Sequence, residues 1–129
     1  MIKTVEYLDG KVRMIDQTRL PLEKVFVDCE TIDDVANAIK TMVVRGAPAI
    51  GVSAAMGVSL GAESIQADSF ETFYSELEEK CLDLSKSRPT AVNLAWGIER
   101  MKRVARESKL LGIPELKKKL KQEALDIYE

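Results

Sequence analysis

Up to about residue 28, apolar and polar positions follow a period of two; beyond Thr31 they follow the helical period. Residues 2–8 (IKTVEYL) mix β-branched and aromatic residues with polar ones, and residues 11–15 (KVRMI) alternate strictly, as a half-buried strand should. Asp9-Gly10 between them is a strong hairpin signal. Asp16-Gln17-Thr18-Arg19 reads as a turn, and Leu20-Pro21 leads into Val25-Phe26-Val27. The pattern predicts a small antiparallel sheet of about three strands over residues 1–28.

Thr31 then offers a helix N-cap, with Asp33 and Asp34 in the first turn. Ile32, Val35, Ala36, Ile39 and Met42/Val43 recur at helical spacing, so this helix is expected to end near Val44. From Gly46 to Ala62 no residue is charged, and ten of the sixteen residues Gly46–Gly61 are Gly, Ala or Ser. A segment without a polar face cannot be a surface helix. It predicts a central helix, buried all round, with Pro48 at a first helical position where a missing N–H costs nothing.

Ser69 caps a third helix whose apolar face is Phe73, Leu77, Cys81 and Leu84. Ser87-Arg88-Pro89-Thr90 ends it and opens a fourth, with Leu94, Ile98, Met101 and Ala105 as its buried stripe and Trp96 and Val104 at the margin. A last helix runs from Ile113-Pro114-Glu115 through Leu116, Leu120, Ala124 and Ile127 without a C-cap signal before Glu129. The expectation is an α+β domain: the sheet over 1–28, then a helical bundle over 31–129 around the small-residue helix. The uncapped last helix predicts that it is the N-terminal domain of a longer protein.

Composition narrows the chemistry. With 19 basic and 21 acidic residues the net charge is -2, which gives no pull toward nucleic acid or an anionic membrane. The absence of histidine removes Ser-His-Asp triads, Cys-His pairs and His-bearing zinc sites. Cys29 and Cys81 match no metal spacing and read as reduced, buried thiols. The N-terminus does not resemble a signal peptide, and the uncharged run is short for a membrane span.

The helix starts differ in a way that matters. Those near Thr31 and Ser69 carry acid in the first turn, matching the positive end of the helix dipole. Arg45 and Arg88 instead precede helices in which no acid appears before Glu63 and Glu99. Arginine at a helix N-terminus is unfavourable alone and favourable when an anion sits there. Free N–H groups at Gly46, Ala47 and around Thr90 would then bind phosphate oxygens, with Arg45 and Arg88 adding charge-assisted bonds. The alternative is that each arginine caps the C-terminus of the helix before it. Asn93 is polar among apolar neighbours and either orients Arg88 or a ligand, or pairs with buried backbone. Lys117-Lys118-Lys119 and Lys121, interleaved with acids, read as a solvated helix face.

Val43-Val44-Arg45-Gly46-Ala47-Pro48-Ala49-Ile50-Gly51 and Arg88-Pro89-Thr90-Ala91-Val92-Asn93-Leu94 resemble two signature blocks of the methylthioribose-1-phosphate isomerases. Asp9-Gly10-Lys11 and Ile15-Asp16-Gln17-Thr18-Arg19-Leu20-Pro21 are similar to two further blocks, in the same order. Ribose-1,5-bisphosphate isomerases and regulatory subunits of the exchange factor for translation initiation factor two share parts of the pattern. The resemblance implies the aldose–ketose isomerisation of 5-methylthioribose 1-phosphate to 5-methylthioribulose 1-phosphate in methionine salvage, in a cytoplasmic homodimer without metal or organic cofactor. It implies that Arg45, Gly46, Ala47 and Arg88 bind the sugar phosphate. Family members are much longer, and their catalytic cysteine and aspartate lie in a Rossmann-like C-terminal half that this chain lacks. Neither Cys29 nor Cys81 matches the catalytic position, so no catalytic residue is expected within 1–129. The competing readings are a domain of an exchange-factor-like regulatory subunit or of a ribose-1,5-bisphosphate isomerase, and an interaction module with no ligand.

Overall fold

The computed structural model describes residues 5–8, 10–16, 18, 22–23, 25–41, 43, 47–88 and 91–128, with the side chains of Ala47 and Tyr128 left aside. Strands β1 (Val5–Leu8), β2 (Lys11–Ile15) and β3 (Phe26–Cys29) form one antiparallel sheet in the order β1-β2-β3. Leu8 pairs with Lys11 across the first hairpin, where Gly10 takes the left-handed φ of 75° that the tight turn requires. Asp9, Gln17 and Arg19–Pro21 of the expected turns lie outside the described residues. The third strand reaches Cys29, one residue past the expected limit. Cys29 pairs with Val12, and both side chains enter the core. On the outer face Asp28 accepts hydrogen bonds from Arg13 Nε (2.7 Å) and Lys11 Nζ (3.0 Å), which hold its carboxyl well below the usual carboxylate range.

Five helices follow: α1 (Ile32–Lys40), α2 (Ala47–Glu63), α3 (Phe70–Ser85), α4 (Val92–Glu107) and α5 (Ile113–Tyr128). Thr31 caps α1, its Oγ1 accepting the Asp34 N–H, while Asp34 in return accepts the Glu30 N–H. The expected run of α1 to Val44 is too long. The Thr41 N–H bonds back to the Asn37 carbonyl and the Val43 N–H to the Ala38 carbonyl, and this closing pattern ends the helix at Lys40. Ser69 caps α3 as its sequence position implies. The fourth helix begins later than Pro89: Ala91, with ψ of 105°, is still extended and serves as N-cap without a side-chain bond.

Helix α2, uncharged up to its last residue Glu63, is the hub. It touches every other helix and both β1 and β2, and from Ile50 to Ala62 every residue is buried except half-buried Val52. Its small residues decide how near the neighbours come. A Cβ on Gly57 would lie 3.0 Å from Val35 of α1, and one on Gly61 would lie 3.1 Å from Ile32. The sheet is tied to the same helix by Tyr7 Oη and Ser59 Oγ, 2.8 Å apart. The apolar faces expected on α3, α4 and α5 pack inward, with Phe73, Leu77, Cys81, Leu84, Leu94, Ile98, Met101, Ala105, Leu116, Leu120 and Ala124 buried.

The lysine row of α5 departs from the expected solvated face. Lys117 Nζ donates to the carbonyls of Ile65 (2.7 Å) and Glu63 (3.3 Å), closing the C-terminal end of α2 with a positive charge. Lys121 lies over the Tyr7 ring at 5.9 Å. Lys118 and Lys119 remain exposed, as the sequence pattern implies. Among the described residues no helix is long and apolar enough to cross a membrane.

Candidate functional site

Helices α2 and α4 cross almost backbone to backbone. A Cβ on Gly97 would stand 2.6 Å from the carbonyl oxygen of Gly51 and 3.2 Å from the Cβ of Ala54. Across the same crossing, a Cβ on Gly51 would meet the Asn93 carbonyl oxygen at 3.4 Å and the Trp96 ring at 3.6 Å. Apart from Ala54, the eighth residue of α2, these contacts fall within the first two turns of both helices. Two glycines therefore bring the starts of α2 and α4 to the same place. The sequence signal for this crossing is Gly97 itself, which lies on the buried stripe between Leu94 and Met101, where a missing side chain allows close approach.

The convergence leaves a cleft of about 360 Å³ lined by Pro48 and Val52 of α2, Asn93 and Trp96 of α4, and Ile127 from the last turns of α5. Neither α2 nor α4 has an acid in its first turn, whereas α1, α3 and α5 carry Asp33 and Asp34, Glu71, and Glu115. The N-cap Ala91 provides no side-chain acceptor for the first N–H groups of α4. Neither helix start carries a carboxylate of its own to compensate its dipole beside this cleft.

Of the residues expected to bind phosphate, Ala47 is the first residue of α2. Arg45 and Gly46 lie outside the described residues, as do Pro89 and Thr90. Arg88 is half-buried in the turn between α3 and α4, and its carbonyl accepts the Ala91 N–H at 2.9 Å. The C-terminal carbonyls of α3 are taken by other groups: Leu82 by Ser85 Oγ, Asp83 by the Lys86 N–H, and Leu84 by Ser87 through both Oγ and N–H. The Arg88 guanidinium caps none of them and has no hydrogen-bond or ion-pair partner among the described residues. Arg13, Arg100 and Arg106 each hold a carboxylate: Asp28, Glu123 and Glu99. Asn93, half-buried at the cleft, likewise has no side-chain partner among the described residues.

The cysteines stand apart from this cleft as buried free thiols. Burial pushes the Cys29 thiol up to about 11, helped by the charges of Asp34 and Asp28, and the Cys81 thiol up to about 12. Both are far from thiolate at neutral pH and are poor nucleophiles. A thiol-reactive probe at pH 8 is expected to label neither cysteine in the folded chain and both after denaturation. Rapid labelling of the native protein would contradict this burial. The raised values also set a sign: their contribution to stability is intact below about pH 9 and is lost as pH rises toward 11, because the unfolded chain ionises first.

Residues 43–129 match the Initiation factor 2 subunit family, IF-2B. The chain is 57% identical over 125 residues to the methylthioribose-1-phosphate isomerase of Citrifermentans bemidjiense, covering 97% of this chain and 36% of that protein. It is 54% identical over 127 residues to the isomerase of Geobacter sulfurreducens, covering 98% of this chain and 37% of that one. Among solved structures, 5-methylthioribose 1-phosphate isomerase from Pyrococcus horikoshii superposes with a TM-score of 0.92 at 41% identity, over 98% of this chain and 36% of that one. Subunit delta of the translation initiation factor eIF-2B from A. fulgidus superposes with a TM-score of 0.89 at 32% identity, with the same coverage. The chain spans little more than a third of the length of these relatives.

Proposed function

This chain belongs to the Initiation factor 2 subunit family, and from that premise we propose that it is the substrate-binding N-terminal domain of a two-domain aldose–ketose isomerase acting on 5-methylthioribose 1-phosphate. The observation that carries the reading is the convergence of two acid-free helix starts on one cleft; Arg88, in the turn that leads into α4, has no side-chain partner among the described residues. Among the solved structures the identity is 41% to the isomerase against 32% to the initiation-factor subunit, and identities of 50–57% to further proteins named methylthioribose-1-phosphate isomerase favour the same branch.

In this reading the phosphate is the handle. Arg45, the N–H groups of Gly46 and Ala47, and Arg88 hold its oxygens. The sugar carbons are then fixed in orientation while a proton leaves one carbon and returns to its neighbour, and such fixing removes much of the entropic barrier. Asn93 offers both a donor and an acceptor to a sugar hydroxyl. The proton-transferring groups, a cysteine and an aspartate in the resemblance, belong to the C-terminal half of the assembled enzyme, a cytoplasmic homodimer that needs neither metal nor organic cofactor.

The test separates binding from chemistry. Calorimetric titration of the 129-residue chain with 5-methylthioribose 1-phosphate is expected to show weak binding that inorganic phosphate competes away. No 5-methylthioribulose 1-phosphate is expected to form. Turnover by the pure chain would overturn the division of labour, and no binding of any phosphate compound would overturn the anion site.

A further inference from the structure

We propose that the corner between α4 and α5 docks a second copy of this chain, the two related by a two-fold axis. The surface shares no residue with the cleft described above and uses this domain alone. In the connection between the two helices Leu110 is 93% exposed and Leu111 41%. Single exposed leucines are ordinary on a protein surface, but this pair stands at the rim of a groove of about 440 Å³. Half-buried Val104 lines the groove, with Glu107 of α4 on one rim and Lys119 and Asp126 of α5 on the other. The leucines are held in place before any partner arrives. The Lys109 N–H bonds to the Arg106 carbonyl (3.3 Å) and the Leu111 N–H to the Ser108 carbonyl (3.0 Å). A turn fixed in this way loses little freedom on binding.

Charge selects the occupant. Glu107, Lys109 and Lys119 are exposed and have no side-chain partner among the described residues. Asp126 accepts a hydrogen bond from the neutral amide of Gln122 (2.9 Å) and holds no base, whereas Glu123 is already taken by Arg100. Two acids and two bases thus stand around the groove, a balance that offers nothing to nucleic acid or an anionic membrane. It complements its own copy. A two-fold axis running along the groove lays the α4 rim of one copy over the α5 rim of the other. Glu107 then meets the partner's Lys119, and the same pair recurs across the axis. Leu110 packs against the partner's Leu111 and the partner's Val104 in the same way. An isologous contact of this kind closes on itself and stops at the dimer. A contact confined to this corner falls at the small end of specific interfaces and is rimmed by exposed charge, so the dimer is weak and salt-sensitive.

Sedimentation velocity of the 129-residue chain, from micromolar to near-millimolar concentration, is the test. A reversible monomer–dimer equilibrium is expected, weakening several-fold as salt is raised. Leu110→Glu should raise the dissociation constant at least about tenfold, because a charge would have to be buried against the partner's leucine. The melting temperature of the dilute monomer should stay the same, since Leu110 is almost fully exposed in its own chain. Glu107→Lys and Lys119→Glu should each weaken association. Mixing these two variants should restore it, because each then presents the charge the other lacks at both rims. A chain that stays monomeric throughout would overturn the proposal. So would a dimer that Leu110→Glu leaves unchanged, or assemblies that grow past the dimer. Charge variants that associate poorly and fail to rescue each other would overturn the two-fold pairing of the rims.

Discussion

Gly97→Val is expected to lower the melting temperature by roughly 10 °C, the largest stability effect of any substitution on the surface between α2 and α4. Even a single Cβ at this position would lie 2.6 Å from the carbonyl oxygen of Gly51, a backbone atom that no rotamer change can move aside. The helices must separate, and separation unpacks Leu94, Met101 and Ala54, all buried. Overpacking of this kind costs about 3 kcal/mol at the upper end of its usual range, which for a domain of this size corresponds to the stated shift. The higher helix propensity of the new residue returns less than about 1 kcal/mol. The neighbouring glycines give a graded comparison. Gly57→Leu should also destabilise strongly, because its nearest neighbours are atoms of buried Val35 at 3.0–3.6 Å. Gly51→Ala should cost less, since its closest contact is 3.4 Å, and Gly112→Ala, exposed with only Pro114 at 3.9 Å, should be close to neutral. Thermal melts followed by circular dichroism rank the four; an unchanged melting temperature for Gly97→Val would show that the helices are farther apart than described.

Arg88→Ala is expected to weaken binding of 5-methylthioribose 1-phosphate by roughly 10- to 150-fold, the equivalent of about 1.5–3 kcal/mol for a charge-assisted bond, while leaving the fold intact. The asymmetry follows from what Arg88 does not do. It caps no carbonyl of α3 and pairs with no carboxylate among the described residues, so its removal takes away no internal contact seen there. Arg100 is the contrast: it joins Trp96 and Glu123 across α4 and α5, and Arg100→Ala should cost stability. Arg88→Lys should recover only part of the lost affinity, because an ammonium cannot grip two phosphate oxygens with a planar fork. An Arg88→Ala variant that binds as well as the parent, with an unchanged melting curve, would remove this residue from the site.

Much of this domain is legible one residue at a time. The switch from period two to period 3.6 near Thr31 gives the α+β order, because strand and helix each repeat their buried face at a fixed interval. Thr31 and Ser69 mark helix starts because a side-chain oxygen satisfies N–H groups only a few residues away. The absence of charge from Gly46 to Ala62 points to a helix buried all round, and the structure buries it from Ile50 to Ala62 apart from half-buried Val52, while Pro48 in its first turn is exposed. The lack of acid after Arg45 and Arg88 marks two helix starts as unlike the others.

Periodicity names a buried face but not what lies opposite it. That Gly97 meets Gly51, and so draws two helix starts together, depends on the crossing of α2 and α4. Lys117 looks like one more solvated lysine until α5 packs beside the end of α2 and its ammonium finds two backbone carbonyls. Trp96 and Ile127 stand far apart in the chain and line one cleft only because α5 returns to the starts of the other two helices. Local chemistry acts over a few residues and is written in the sequence there; a cleft is the space left between surfaces from distant parts of the chain, and only their packing gives it a shape.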